Sequence, residues 1–167
     1  MDLSAHLSSE LARLAGFSGP PNHQVDVTDA AGLRLRIDFV AVDTLSSAFE
    51  CLSLHVPKLV GHEVKVLNDW AVALSKRVTY LLEFIGPIEV DPSINEVLIR
   101  STPPDQSNGS TQFYEVLLSA QTDGTFSLRR YRSHAGQAGR DAVDILLTNE
   151  TLKKLVNDLV DTVPDVD

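Results

Sequence analysis

Between Leu67 and Ile85 apolar side chains recur at Leu67, Trp70, Ala71, Leu74, Val78, Leu81, Leu82 and Ile85. Spacings of three and four place them on one stripe of a helix. This helix carries the only tryptophan of the chain and stands between two blocks of alternating sequence. A mid-chain amphipathic helix flanked by two β-rich blocks must lay its stripe on a sheet, which sets a two-layer α+β domain.

The first block holds Gln24–Thr28, Leu33–Val42 and Ala48–Val56. In the middle strand Leu33, Leu35, Ile37 and Phe39 alternate with Arg34, Arg36 and Asp38, the period of a strand with one buried face. Gly19-Pro20-Pro21 is read as a rigid break before it. The long helix is expected to start near Gly61 or His62 and to stop at Gly86-Pro87, a left-handed cap followed by a residue that cannot continue a helix. The second block then holds Ile88–Asp91, Glu96–Arg100, Gln112–Ser119, Thr125–Arg132 and Ala142–Leu147. Its polar stretch Ser101–Ser110 reads as a mobile loop. A first helix over Ser4–Ala15 shows Leu3, Leu7, Leu11 and Leu14 on one side and stops at Gly16. A last one, capped by Thr148, shows Leu152, Leu155, Val156, Leu159, Val160 and Val163. The predicted order is α-βββ-α-ββββ-α. Short turns between consecutive strands give a mainly antiparallel sheet of six to eight strands, with the helices on one face.

The length of 167 residues suits one domain spanning 1–167. A single cysteine, Cys51, excludes an internal disulfide and fits the cytoplasm. Asp2 precedes the first apolar residues, so no secretory signal is read, and no apolar run is long enough for a membrane span. The formal charge of −9 argues against a general nucleic-acid binder, which needs a cationic surface for counterion release, and leaves nucleic-acid binding through the arginine cluster the weakest reading. No metal or cofactor is expected. His62-Glu63 lacks the second histidine that a zinc-protease helix requires, since Val66 stands there, and neither G-x-G-x-x-G nor a P-loop occurs. Gly136-Gln137-Ala138-Gly139 leads into a strand rather than a helix N-terminus and reads as a connection.

No catalytic residue is assigned. Cys51 and His55 share a strand face but stand roughly 13 Å apart, against the roughly 3 Å of a thiolate–imidazole pair. Glu89 and Asp91 point the same way from a strand beside a turn, a placement commoner for solvated carboxylates than for an acid–base pair; Asp26 with Glu50 has no stronger case. The one local concentration of charge is Arg129-Arg130-Tyr131-Arg132, followed by His134 and Arg140. With Arg100 it makes a candidate partner- or anion-binding set, an aromatic among guanidinium groups that can grip carboxylate or phosphate. Its bland counterpart is a solvated strand end in which Arg34, Arg36 and Arg100 pair across strands with Glu89 or Glu115. Phe113–Leu118 and Val97–Ile99 are apolar on both faces, so a sheet covered on one side leaves greasy side chains on the other, to be shielded by curling, a loop or a second protein.

The element order of helix, three-strand meander, long helix, further antiparallel strands and closing helix resembles the secretion-chaperone-like fold of type III secretion chaperones, to which the small size and acidity are also similar. The resemblance lies in element order, without a shared motif. Surplus apolar strand surface and no recognisable catalytic constellation give the leading expectation, a non-enzymatic, cytoplasmic binding or assembly module that holds a protein partner, as a homodimer. The alternative is a small-molecule or anion-binding protein or enzyme with its pocket between helix and sheet, floored by Arg129, Tyr131 or Arg100.

Overall fold

A computed structural model describes residues 1–81, 84–102, 105–107, 109–121 and 124–167, with side chains described for all of these except 84–88, 102 and 105–107. The elements follow the order α1 (Leu3–Leu14), β1 (Phe17–Thr28), β2 (Arg34–Val42), β3 (Ser46–His55), α2 (Val64–Arg77), β4 (Phe84–Asp91), β5 (Glu96–Thr102), β6 (Asp105–Ser107), β7 (Ser110–Ser119), β8 (Phe126–His134), β9 (Asp141–Val143), β10 (Ile145–Thr148) and α3 (Asn149–Thr162), with a 3₁₀ turn at Pro57–Leu59 before α2. The fold is α+β in the expected order, its last expected strand divided into β9 and β10.

The strands form one antiparallel sheet ordered β1-β2-β3-β8-β7-β5-β4. Two meanders, β1-β2-β3 and β4-β5-β7-β8, meet at their last strands. The seam is short, Leu52–Leu54 against Phe126–Leu128, because the first half of β3 pairs with β10 instead. The sheet has ten strands against the six to eight expected, because the short β6, β9 and β10 pair beside the seven-strand path.

All three helices cover one face. Leu3, Leu7, Leu11 and Leu14 of α1, Leu67, Trp70, Ala71 and Leu74 of α2, and Leu152, Leu155, Val156 and Leu159 of α3 are buried in one core with inward residues of the sheet, among them Val25, Leu35, Ile37, Phe39, Leu52, Leu54, Ile99, Val116 and Phe126. Trp70 lies 6.1 Å from Phe126 ring to ring, and its indole N–H donates to Thr162 Oγ1 of α3 at 3.1 Å, so the one polar atom of the largest core side chain is satisfied. Asp2 caps α1 by accepting from the Ala5 amide at 2.7 Å, and Thr148 caps α3 by accepting from Thr151.

Three boundaries differ from expectation. First, α2 stops at Arg77, well before Gly86. Val78 and Leu81 remain buried although the chain there is no longer helical; two β-branched residues in succession, Val78 and Thr79, favour extended backbone, and the Tyr80 hydroxyl is held by Asp158 of α3 at 2.8 Å. The apolar stripe thus continues past the end of its helix; Leu82 and Ile85 lie outside the described side chains. Second, both proline breaks lie inside strands. Gly86-Pro87 falls in β4 at a register shift between Ile85 and Ile88, and Gly19-Pro20-Pro21 in β1 at one between Ser18 and His23. A bulge on an edge strand is where the missing proline N–H costs nothing. At Gly19 a side chain would meet the Pro21 carbonyl oxygen at 3.0 Å and that of Val40 at 3.3 Å, so the close crossing of β1 over β2 needs glycine. Third, the expected loop Ser101–Ser110 is, among its described residues, β-structure: β6 pairs with β7 and Ser101 is buried, while 103, 104 and 108 lie outside the described residues.

Among the described residues no helix is long and apolar enough to cross a membrane, and no group of three or more His, Cys, Asp or Glu is placed to hold a metal ion.

Candidate functional site

The helix–sheet interface holds no ligand-sized space among the described residues. Its cavity measures about 10 Å³ and is walled by Leu74, Val78, Phe126, Leu155 and similar apolar groups, room for roughly one water and with nothing to bind it. Open depressions lie on the outer surface of the helices, one of about 540 Å³ lined by Arg77, Lys154, Asp158 and Asp161 among others, and another lies on the other side of the sheet.

The pleat of β8 divides the arginine run. Leu128 points into the core, so Arg130 and Arg132 share its side and Arg129 and Tyr131 face the open side. Arg130 stacks on Tyr114, its guanidinium carbon 4.2 Å from the ring centre, and donates to Gln112 Oε1 at 3.2 Å. Arg132 stands opposite Gln112 and Asp141. Period two cannot keep four consecutive side chains in one site; the expected set separates into Arg129, Tyr131 and Arg100 on the open face and Arg130 and Arg132 on the helix-side face. Arg129 and Tyr131 therefore cannot floor a pocket between helix and sheet.

Around Tyr131 the open face carries a packed arginine–aromatic cluster. Glu115 of β7 lies opposite Arg129 and Arg100, and its side chain is only 12% exposed. Arg100 Nε donates to it at 3.2 Å, the cross-strand pair expected from sequence. Arg140, arriving from the loop before β9, donates two hydrogen bonds to the same carboxylate, one through Nη1 and one through Nη2 at 3.0 Å. The Arg140 guanidinium lies 3.8 Å from the Tyr131 ring centre, a cation–π contact, and 5.9 Å from that of Phe113, whose ring packs 6.0 Å from that of Tyr131. Glu115 holds the Arg140 guanidinium above its usual range. The loop thus shields Phe113, one of the apolar residues that a sheet covered on one side would leave exposed; Leu98 and Leu117 beside it are half-buried.

Next to this cluster, between β1 and β8, lies a depression of about 410 Å³ lined by Gln24, Arg36, Asp38, Cys51, Ser53, Ser127 and Arg129. Its floor is built by register: Gln24 pairs with Asp38, Arg36 with Ser53 and Ser53 with Ser127. A bulge sets Glu50 and Cys51 of β3 against the single residue Asp38 of β2, the kind of irregularity that re-aims side chains at binding surfaces. Burial pushes the Cys51 thiol up, Arg129 opposes this, and Asp38 and Glu50 add to it, which disfavours the thiolate. Arg36 shares the Asp26 carboxylate with Arg34, donating at 3.1–3.2 Å while Arg34 donates at 2.5–2.7 Å, and these bonds, Arg34 first, hold Asp26 below the usual carboxylate range. Asp26 is thereby an ion-pair partner, and β2 separates it from Glu50. Arg129 makes neither a hydrogen bond nor an ion pair among the described residues.

Other candidates resolve into structure. Asp91 is exposed and accepts from the Ser93 amide at 3.0 Å and hydroxyl at 2.5 Å, bonds that lower its pKa; it fastens a turn, and Glu89 beside it is exposed. His62 lies just before α2, whose N-cap is Glu63. Gly136–Gly139 is an exposed turn.

No family model matches the chain, and no match was found among curated proteins or solved structures. Its functional reading rests on the site itself.

Proposed function

We propose that this chain is a cytoplasmic protein-binding or assembly module, of the secretion-chaperone-like type, that receives a protein partner on the helix-free face of its sheet. The observation that carries this reading is the one-sided covering of the sheet. The helices close one side around a solid apolar core, while the other presents a shallow polar depression beside an arginine–aromatic cluster. Arginine and tyrosine are the side chains that protein interfaces concentrate, and five of the nine arginines of the chain, Arg34, Arg36, Arg100, Arg129 and Arg140, reach this face. All five lysines sit on the helical side, in the 3₁₀ turn, α2 and α3. Self-association belongs to the same reading: a second copy on this face makes a homodimer if it buries more than about 1,000 Å².

A photo-crosslinking residue at Ser127, compared with one at Val72 on the exposed side of α2, tests the reading in the native cell. A discrete adduct from Ser127 and none from Val72 is expected, and light scattering of the pure protein separates a homodimer from a foreign partner. Equal labelling from both positions with a monomeric mass would overturn it.

A further inference from the structure

Resting on that reading, we propose that the depression around Arg129 is the seat of one carboxylate side chain, the anchor by which an acidic, extended peptide segment of the partner is held. Arg129 is exposed on the open face and among the described residues has no hydrogen-bond or ion-pair partner. The hydroxyls of Ser53 and Ser127, cross-strand neighbours, and the amide of Gln24 line the same hollow and make no side-chain hydrogen bonds among the described residues. A guanidinium with two free hydroxyls beside it is a donor set for a planar anion, which arginine binds through two parallel N–H groups.

The other charges choose among anions. Arg36 is engaged by Asp26, and Asp38 stands in the wall with Glu50 close by. One unengaged cation facing fixed carboxylates balances a single negative charge; a phosphate dianion would meet Asp38 without a second free guanidinium to offset it. An acidic side chain is therefore favoured over a phosphate group. The hollow of about 410 Å³ is open to solvent on the sheet surface, which suits an extended segment lying across strands rather than an enclosed small molecule.

The test uses the isotope-labelled full chain, titrated with a blocked hexaglutamate peptide and separately with inorganic phosphate while backbone amide shifts are followed. The peptide is expected to move amides at Ser53, Ser127 and Arg129. Arg129→Gln should weaken it about tenfold or more. Ser127→Asp, which supplies Arg129 with a carboxylate of its own, should abolish it, and both variants should keep the parent melting temperature. Shifts confined to other surfaces, binding unchanged in Arg129→Gln, or phosphate binding more tightly than the peptide would each overturn the proposal. A partner adduct from Ser127 without any peptide response would overturn the carboxylate seat and leave the docking face standing. A peptide response without an adduct would support the seat and remove the docking reading.

Discussion

Two shielded carboxylates organise this molecule, and they do opposite things. Asp158 of α3, its side chain 4% exposed, accepts from Arg77 Nε at 2.9 Å, Tyr80 Oη at 2.8 Å and Lys154 Nζ at 3.0 Å. Its partners come from the end of α2, the non-helical chain beyond it and one turn back along α3, so it ties two of the three core-covering helices together. Burial works against its ionisation, but the three donors outweigh it and leave its pKa lowered; the Tyr80 hydroxyl, half-buried and committed to Asp158, is raised. Glu115 on the open face gathers Arg100 and Arg140 beside two aromatic rings, yet Arg140 comes from a glycine-bounded loop, and next door Gln24, Ser53, Ser127 and Arg129 make no side-chain hydrogen bonds among the described residues. The first cluster fastens the core. The second dresses a surface and reaches Tyr131, two residues along β8 from Arg129.

The sharpest break in this comparison comes from the core beneath the first cluster. Trp70→Ala should cost about 3–5 kcal/mol, seen as a large fall in the denaturant midpoint, because it leaves a cavity against Phe126 and removes the indole bond to Thr162. Asp158→Ala should cost about 2 kcal/mol, much less than an isolated buried charge, since Arg77 and Lys154 are free to turn to solvent. The pH dependence has a definite sign. A carboxylate whose folded pKa is depressed contributes stability above the ordinary carboxylate range and loses it as pH falls through that range. The stability gap between the parent and Asp158→Ala, measured by denaturant titration, should therefore shrink from about pH 7 to about pH 3; a gap unchanged on acidification would refute the clamp. Arg140→Ala should cost about 1 kcal/mol or less while raising hydrogen exchange in the 135–140 loop and over Phe113. The smallest effect is expected of Arg129→Gln, within about 0.5 kcal/mol of the parent, as nothing in the fold leans on that guanidinium. A large destabilisation there would make Arg129 a structural residue and erase the contrast.

Much of the core side is legible in the amino-acid sequence. The α1 and α3 stripes and the alternation of β2 mark buried faces because each depends on local period alone. The Arg100–Glu115 pair is legible too, both residues standing on strands where a partner is to be expected. The end of α2 is not: Val78 and Leu81 satisfy the helical period, yet the chain buries them outside the helix, where Tyr80 is held by Asp158. Gly-Pro pairs that look like terminators are bulges, since a proline on an edge strand loses no ladder bond. The arginine run carries the signal of its own division, as period two within Thr125–Arg132 sends Arg129 and Arg130 to opposite faces. The hollow around Arg129 has no such signal. Gln24, Arg36, Ser53 and Ser127 converge from four strands, and their meeting depends on register and on the β3–β8 seam.

Local periodicity settled which residues are strand or helix over most of the chain and which side of each is apolar, because burial acts on every turn or pleat independently of its distant neighbours. Strand order, the joining of the two meanders through Leu52–Leu54, and the company that Arg129 and Glu115 keep were settled only by the folded sheet. Those are agreements between segments far apart in sequence, and no single segment contains them.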